Sequence, residues 1–328
     1  MKARRVPGSR AATLAAVDLV EGVLGRDPRA IARAISMVED GDEGLEALSA
    51  GLFPHTGRAW TVGVTGSPGV GKSTLAGELV RAARQRESSV AVLAVDPTSP
   101  FTGGALLGDR LRMQAHATDP GVFIRSMATR GHLGGMALAA PEAVRILDAA
   151  GYEVIVVETV GVGQAEVDVA AATDTTLVVV SPGWGDAIQA AKAGILEVAD
   201  VFVVNKADRE GADGAVRDLQ QMIRMGPERD WTPPVVTTAA TTGQGMDEVW
   251  DAVSAHRAHL DTSGGLARNR RDRLIREVEA LAAERLRGRA ASLLRGDAAL
   301  MQDLLERRTD PYGATTILMR RVAAAGDP

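Results

Sequence analysis

The sequence predicts an α/β fold on a doubly wound, mostly parallel sheet, with N-terminal helices before it and a helical C-terminal arm after it. Three observations carry that prediction. Between Ala59 and His259, short β-branched runs alternate with helical stretches, and each run is nearly continuous in hydrophobicity, as strands buried on both faces read. A glycine-rich G-x-x-x-x-G-K-S segment follows the first run and opens a helical stretch. Outside that region, apolar residues fall at helical spacing.

Three stretches follow, with expected bounds 1–58, 59–262 and 263–328. In the first, Leu14, Val17, Val20 and Leu24 recur at helical spacing, and Ile31, Ile35 and Val38 repeat the pattern. Asp27-Pro28 offers a cap and a first-turn proline, and Gly41 and Gly44 punctuate the end. Two or three short amphipathic helices are expected, without chemistry. In the second stretch the strand candidates are Thr61 to Val64, Val90 to Val95, Val122 to Ile124, Val154 to Val157, Leu177 to Val180, Val201 to Val204 and Val235 to Thr237. In the third, Gly264-Gly265 breaks the chain before a charged helix with Leu274, Val278 and Leu281 along one side. A second helix starts near Asp297 and ends around Arg308, and Thr315 to Leu318 is one further strand candidate. This arm has no obvious core of its own. It can pack back on the domain or pair with a second subunit, and a homodimer is the expectation.

Composition narrows the function classes. Across 328 residues, 45% hydrophobic content supports a large core, but aromatics at 3% mean that Ala, Val, Leu and Ile must fill it. The absence of cysteine removes disulfides, thiolate metal sites and cysteine nucleophiles, and fits a cytoplasmic protein. A net charge of −5 gives no general reason to expect nucleic acid as a partner. No apolar run reaches the roughly 18 residues that crossing a membrane needs. The basic start, Met1-Lys2-Ala3-Arg4-Arg5, reads as a tail rather than a leader, because Asp18 and Glu21 interrupt the stretch behind it.

The phosphate loop is Gly66-Ser67-Pro68-Gly69-Val70-Gly71-Lys72-Ser73-Thr74. Its glycines let backbone N–H groups converge on phosphate oxygens, the helix N-terminus adds its positive end, and Lys72 reaches the β- and γ-phosphates. Ser73 is placed to ligate Mg²⁺. The domain is therefore expected to be a P-loop NTPase. Asn205-Lys206-Ala207-Asp208 follows a strand and selects the base: the Asp208 carboxylate accepts from guanine N1–H and its exocyclic amine, neither of which adenine offers there. Asn205 would tie this loop to the phosphate loop, and the Lys206 stem would lie along the base. Thr238-Ala239-Ala240 stands where GTPases present a backbone N–H to guanine O6, or is an ordinary turn.

Acidic residues complete the reading. Glu158-Thr159-Val160-Gly161 ends a strand, with the carboxylate on the metal side and the Gly161 N–H facing the γ-phosphate. Asp96, at the end of the second strand, approaches the metal or its waters, since open α/β sheets bind ligands at their carboxyl edge. Asp109 serves the same purpose or caps a helix, and Arg110 or Arg112 neutralises transferred-phosphate charge or is solvated. Val162 stands where a water-orienting glutamine would follow Gly161, and Gln164 comes later, so slow intrinsic hydrolysis with partner stimulation is expected.

Taken together, GSPGVGKST, DPTSP, GALLGDRLRM, ETVGVGQAE, SPGWGDAIQAAKAGILEVADVFVVNKAD and DPYGATTIL resemble the MeaB/ArgK family of SIMIBI-class GTPases, which includes human MMAA. The likeness covers nearly the whole chain. It implies a homodimeric GTPase that chaperones an adenosylcobalamin-dependent acyl-CoA mutase, usually methylmalonyl-CoA mutase, gating cofactor delivery. By position, Lys72 and Ser73 match the phosphate-loop residues, Asp96, Asp109 and Glu158 the metal-linked acids, and Asn205 and Asp208 the guanine readers. The segment 183–194, with Asp186, Gln189 and Lys192, resembles a switch coupling nucleotide state to the mutase. Trp184 beside it is either a contact residue or a partly packed indole.

Two other functions share the same parts. A SIMIBI-class metallochaperone needs His or Cys ligands, whereas cysteine is missing and His55, His116, His132, His256 and His259 are scattered. His256 and His259, at i and i+3 on an expected helix, would hold a metal only weakly. A GTP-dependent small-molecule kinase, which the older ArgK name implies, lacks a recognisable substrate pocket in the sequence.

Overall fold

The seven β-branched runs of the middle stretch all become parallel strands. In the computed structural model these are β1 (Trp60–Thr65), β2 (Val90–Pro97), β3 (Val122–Thr129), β4 (Val154–Thr159), β5 (Thr175–Val180), β6 (Val201–Asn205) and β7 (Val235–Thr238). They form one sheet in the order β3-β2-β4-β1-β5-β6-β7, so the chain steps to one side of β1 and then to the other. The structure describes residues 10–42, 44–97, 116, 118–129, 136–159, 169, 171–183 and 197–324, with the side chains of 10–16, 96–97, 128–129 and 136–138 left aside. Contacts divide the chain into two units, Met1–Arg273 and Leu274–Pro328.

Both sheet faces are covered, which is why the strands lack polar alternation. On one face, Ala91, Leu93, Ile155 and Val157 pack beneath α1 (Arg10–Leu24), α2 (Pro28–Asp40), α3 (Leu45–Leu52) and α5 (Met136–Ala149). On the other, Val62, Val64, Val92, Val156, Leu177 and Val203 meet α4 (Lys72–Gln85) and α7 (Met246–Ser263), while Phe202 and Val204 return to the first face under α6 (Ala212–Met225). Each fully buried aliphatic side chain contributes about 1.5–3 kcal/mol, so an aromatic-poor core suffices.

The N-terminal helices form where expected. Asp27 caps α2 by accepting from the Arg29 N–H at 3.0 Å, and Gly41 ends it at φ 62°. The buried phase of α1 differs from the sequence reading: Leu19 and Val23 are buried, whereas Val17 and Leu24 are exposed. Val20 packs partly on the same core. The i, i+4 pair that meets α2 and α3 lies about a third of a turn from the expected stripe.

The third stretch is helical throughout its described residues: α8 (Gly265–Gly296), α9 (Ala298–Leu305) and α10 (Pro311–Ala324). Thr315 to Leu318 lies inside α10, which overturns the strand expectation. Asp310 accepts from the N–H groups of Tyr312 and Gly313, Pro311 fits the first turn, and the Thr315 and Thr316 hydroxyls donate back to Pro311 O and Tyr312 O. Local capping outweighs β-branched preference here. Among the described residues of the unit Leu274–Pro328 the buried apolar ones are Leu300, Ala314 and Val322, while Leu274, Ile275, Val278, Leu281, Leu305 and Tyr312 are exposed. Before that boundary, α8 is fastened by Arg270 and Arg273 to the buried Asp174 that precedes β5.

Candidate nucleotide site

All seven strands are parallel, so their carboxyl ends share one edge, and the phosphate loop, Glu158, Asn205 and Thr238 stand there among the described residues. The phosphate loop leaves β1 between β4 and β5. Gly66 has φ 141°, and a Cβ on it would stand 2.1 Å from Val179 O of β5. Gly71 has φ 100° at the N-cap of α4, and a Cβ there would stand 2.3 Å from Asn205 Nδ2. Only glycine fits either place. Lys72 is buried and its Nζ donates to Gly66 O at 2.8 Å and Ser67 O at 3.0 Å, bending over the loop as a phosphate-reaching lysine must.

At the end of β4, Ser73 Oγ donates to Glu158 Oε1 at 2.5 Å, and both side chains are buried. Glu158 pairs in register with Val64 of β1 and Ala94 of β2, which places Asp96 two residues further along β2 toward the carboxyl edge. A buried hydroxyl beside a buried carboxylate is an all-oxygen donor set, which fits a hard cation such as Mg²⁺. Asp109, Arg110, Arg112, Gly161 and Val162 lie outside the described residues, as do Trp184, Asp186, Gln189 and Lys192.

The base side is built on Asn205. Its Nδ2 donates to Val70 O at 2.8 Å and its Oδ1 accepts from the Ala240 N–H at 3.1 Å, so one side chain ties three loops. Lys206, at φ 59°, donates from Nζ to Gly69 O at 2.6 Å, lying against the phosphate loop. Asp208 is exposed in the turn that follows, closed by the Arg209 N–H on Lys206 O. Thr238 Oγ1 donates to Gln244 O at 2.6 Å, and the Ala239 N–H donates to the same oxygen at 3.0 Å. With the Ala239 and Ala240 N–H groups both engaged internally, presenting either one to a base requires an exchange of partners.

None of the described histidines belongs to a metal-like cluster. His256 Nδ1 lies 3.0 Å from Thr175 Oγ1, and its ring stacks 6.5 Å from that of His259. Among the described residues no group of three His, Asp or Glu side chains is placed to hold a metal ion, and no helix is long and apolar enough to cross a membrane. Sequence reasoning missed Asp174, whose partners are distant in the chain and carry no local signal.

Comparison with known proteins places these features in a lineage. The family model described as "Methylmalonyl Co-A mutase-associated GTPase MeaB" matches residues 31–293. A Pyrococcus abyssi protein carrying the name GTPase is 46% identical over 94% of this chain and 97% of its own. The GTPase ArgK of Escherichia coli is 38% identical over 75% of this chain and 77% of its own. The mitochondrial methylmalonic aciduria type A homolog of Caenorhabditis elegans is 36% identical over 81% of this chain and 67% of its own. The crystal structure of a LAO/AO transport system kinase superposes with a TM-score of 0.70 at 24% identity, covering 97% of this chain and 100% of that one, and so shares the fold.

Proposed function

The chain belongs to the MeaB family of methylmalonyl-CoA mutase-associated GTPases and is a guanine-nucleotide-binding GTPase, and we propose that it is the chaperone of an adenosylcobalamin-dependent acyl-CoA mutase. Methylmalonyl-CoA mutase is the proposed client, with hydrolysis gating cofactor loading and protecting or reactivating the mutase. The observation that carries this reading is the family match over residues 31–293, which reaches from the N-terminal helices into the arm.

Roles follow from chemistry and position. Gly66 to Thr74 would wrap the β-phosphate through backbone N–H groups, and Lys72 would exchange its carbonyl partners for β- and γ-oxygens. Ser73, Glu158, Asp96 and Asp109 would hold Mg²⁺, directly or through water, and the ion would neutralise the charge building on the phosphates. Arg112 would add positive charge at the transferred group, and the Gly161 N–H would sense its presence. Asn205 and Lys206 would fix the base loop against the phosphate loop, leaving Asp208 to read guanine with Thr238, Ala239 and Ala240 beside it. Asp186, Gln189 and Lys192 would couple nucleotide state to the mutase. The location is proposed as cytoplasmic.

Hydrolysis measured with and without candidate acyl-CoA mutases tests the reading. The mutase should accelerate turnover, and Lys192→Ala should leave GTP affinity and basal hydrolysis within about a few fold while removing most of the stimulation. An equal fractional loss of both rates would make Lys192 an ordinary active-site residue. No stimulation by any such mutase would remove the chaperone role.

The arm is proposed to form a homodimer, because the exposed row Leu274, Ile275, Val278 and Leu281 exceeds what Leu300, Ala314 and Val322 bury. A chain ending after Arg273 keeps the Asp174 anchor and should run as a monomer in light scattering. A full-length monomer at high concentration would count against pairing.

A further inference from the structure

At the amino-terminal edge of the sheet, opposite the phosphate loop, two titratable side chains face each other and take no part in the site above. Asp200 immediately precedes β6, and His256 lies on α7 with its ring almost wholly buried. His256 Nε2 stands 3.4 Å from Asp200 Oδ1. Asp200 Oδ2 accepts the Thr176 N–H at 2.8 Å, and His256 Nδ1 is 3.0 Å from Thr175 Oγ1. Trp231 covers the pair: its ring centre is 5.0 Å from that of His256 and 5.2 Å from that of His259, and its indole N–H donates to Asp200 O at 2.8 Å. The segment 226–234 around Trp231 carries three prolines and lines a cavity of about 530 Å³ together with Phe202, Met222 and Ile223.

The charge state of this pair follows from its surroundings. A separation of 3.4 Å is long for a charge-assisted hydrogen bond, so an ion pair would not offset the cost of desolvating both partners. Burial pushes the Asp200 carboxyl up to about 7; the Thr176 N–H and the Arg229 charge pull the other way, and Asp174 adds to the rise. Burial pushes His256 down to about 4, helped by His259 and opposed by Asp174. Asp174 faces the pair from the start of β5, His259 from α7 and Arg229 from the Trp231 segment, which covers the charged groups acting on it among the described residues. The imidazole is therefore neutral at neutral pH, while the carboxyl keeps its proton below about pH 7 and loses it above.

We propose that Asp200 and His256 form a one-proton latch, in which the protonated carboxyl lets Trp231 and the segment 226–234 seat on the sheet edge and loss of the proton releases them. Ionisation leaves a carboxylate against an indole and a neutral imidazole. Arg229, exposed and carried on the same segment, is the group that gains most by turning toward it. The movement changes the wall of the 530 Å³ cavity, so its shape depends on pH while the nucleotide edge stays out of reach of the change.

The full chain labelled with 5-fluorotryptophan tests this by fluorine NMR from pH 5 to 9, with Trp231→Phe identifying the Trp231 resonance. That resonance should show one transition near neutrality. Asp200→Asn should abolish it, because the amide oxygen still accepts from Thr176 while the amide nitrogen takes the place of the protonated carboxyl oxygen. Arg229→Gln, at an exposed position that does not threaten folding, should move the midpoint to higher pH. The imidazole ¹⁵N shifts of His256 should read as neutral at pH 6. An unchanged transition in Asp200→Asn, a wild-type chain with none, a midpoint insensitive to Arg229, or an imidazolium at pH 6 would each overturn the latch.

Discussion

Lys72→Ala is expected to abolish nucleotide binding and turnover together, with a loss of about a thousandfold or more in kcat/KM. The size follows from what the side chain does in two states. In the structure Nζ bridges Gly66 O and Ser67 O and so holds the loop in its wrapped form. With nucleotide it supplies the one flexible cation of the loop to the β- and γ-oxygens, and removing a single uncharged donor from a comparable site already costs about a hundred- to a thousandfold. Alanine removes the charge and leaves two loop carbonyls without that donor, costing about 1–3 kcal/mol of local stability. Glu158→Gln separates binding from chemistry. Glutamine keeps the shape and an oxygen to accept from Ser73 Oγ, so the loop should survive and GDP affinity should stay within about a few fold. The lost carboxylate charge should lower Mg²⁺-dependent turnover by about a hundredfold. Calorimetry with GDP and phosphate-release assays distinguish the two variants. Hydrolysis that persists unchanged in a chelator would show that the oxygen donors at Ser73 and Glu158 serve no metal.

The parts legible in the sequence are those fixed by local chemistry. Strands buried on both faces must be continuous and β-branched, and all seven runs became strands. The phosphate loop is legible because only glycine tolerates the Val179 and Asn205 approaches at Gly66 and Gly71, and Asn205 because its amide has to join loops that a strand end brings together. Strand order is not local, since the placement of β4 between β2 and β1 depends on packing that no single run encodes. The buried phase of α1 was likewise hidden: Val17 and Leu24 are as apolar as Leu19 and Val23, and only the positions of α2 and α3 choose between the stripes. In α10, capping by Asp310 and back-bonding by Thr315 and Thr316 reverse the preference that their β-branching suggests. The engaged N–H groups of Ala239 and Ala240 depend on Gln244 and Asn205, which a three-residue motif does not contain.

Asp174→Ala is expected to lower stability by about 3–5 kcal/mol, a large share of what holds a domain of this kind together. Asp174 has no exposed side-chain surface, and its carboxylate is the meeting point of two central strands and the start of α8. Oδ2 accepts the Thr61 N–H of β1 at 3.2 Å and Arg270 Nη2 at 2.6 Å, and Oδ1 accepts Arg270 Nε at 3.1 Å and Arg273 Nη2 at 3.3 Å. The same Arg270 continues to Gly57 O and Ala59 O, so the guanidinium also fixes the approach to β1. Burial alone would push this carboxyl up, yet the Arg270 hydrogen bonds and the Arg273 and Arg270 charges hold it below the usual carboxylate range. Removing it leaves two guanidiniums without their shared counter-charge, and that uncompensated charge is what makes the loss large. The sign with pH follows: a depressed carboxyl contributes its stability above the unfolded value near 4, and the contribution fades as pH falls through the native value. Urea unfolding of wild type and Asp174→Ala at equal protomer concentration should therefore show the full difference at pH 7 and a smaller one at about pH 3. A difference under about 1 kcal/mol at pH 7, or one that grows on acidification, would mean that α8 and the two strands are held by their apolar packing and that the arginines are solvated there.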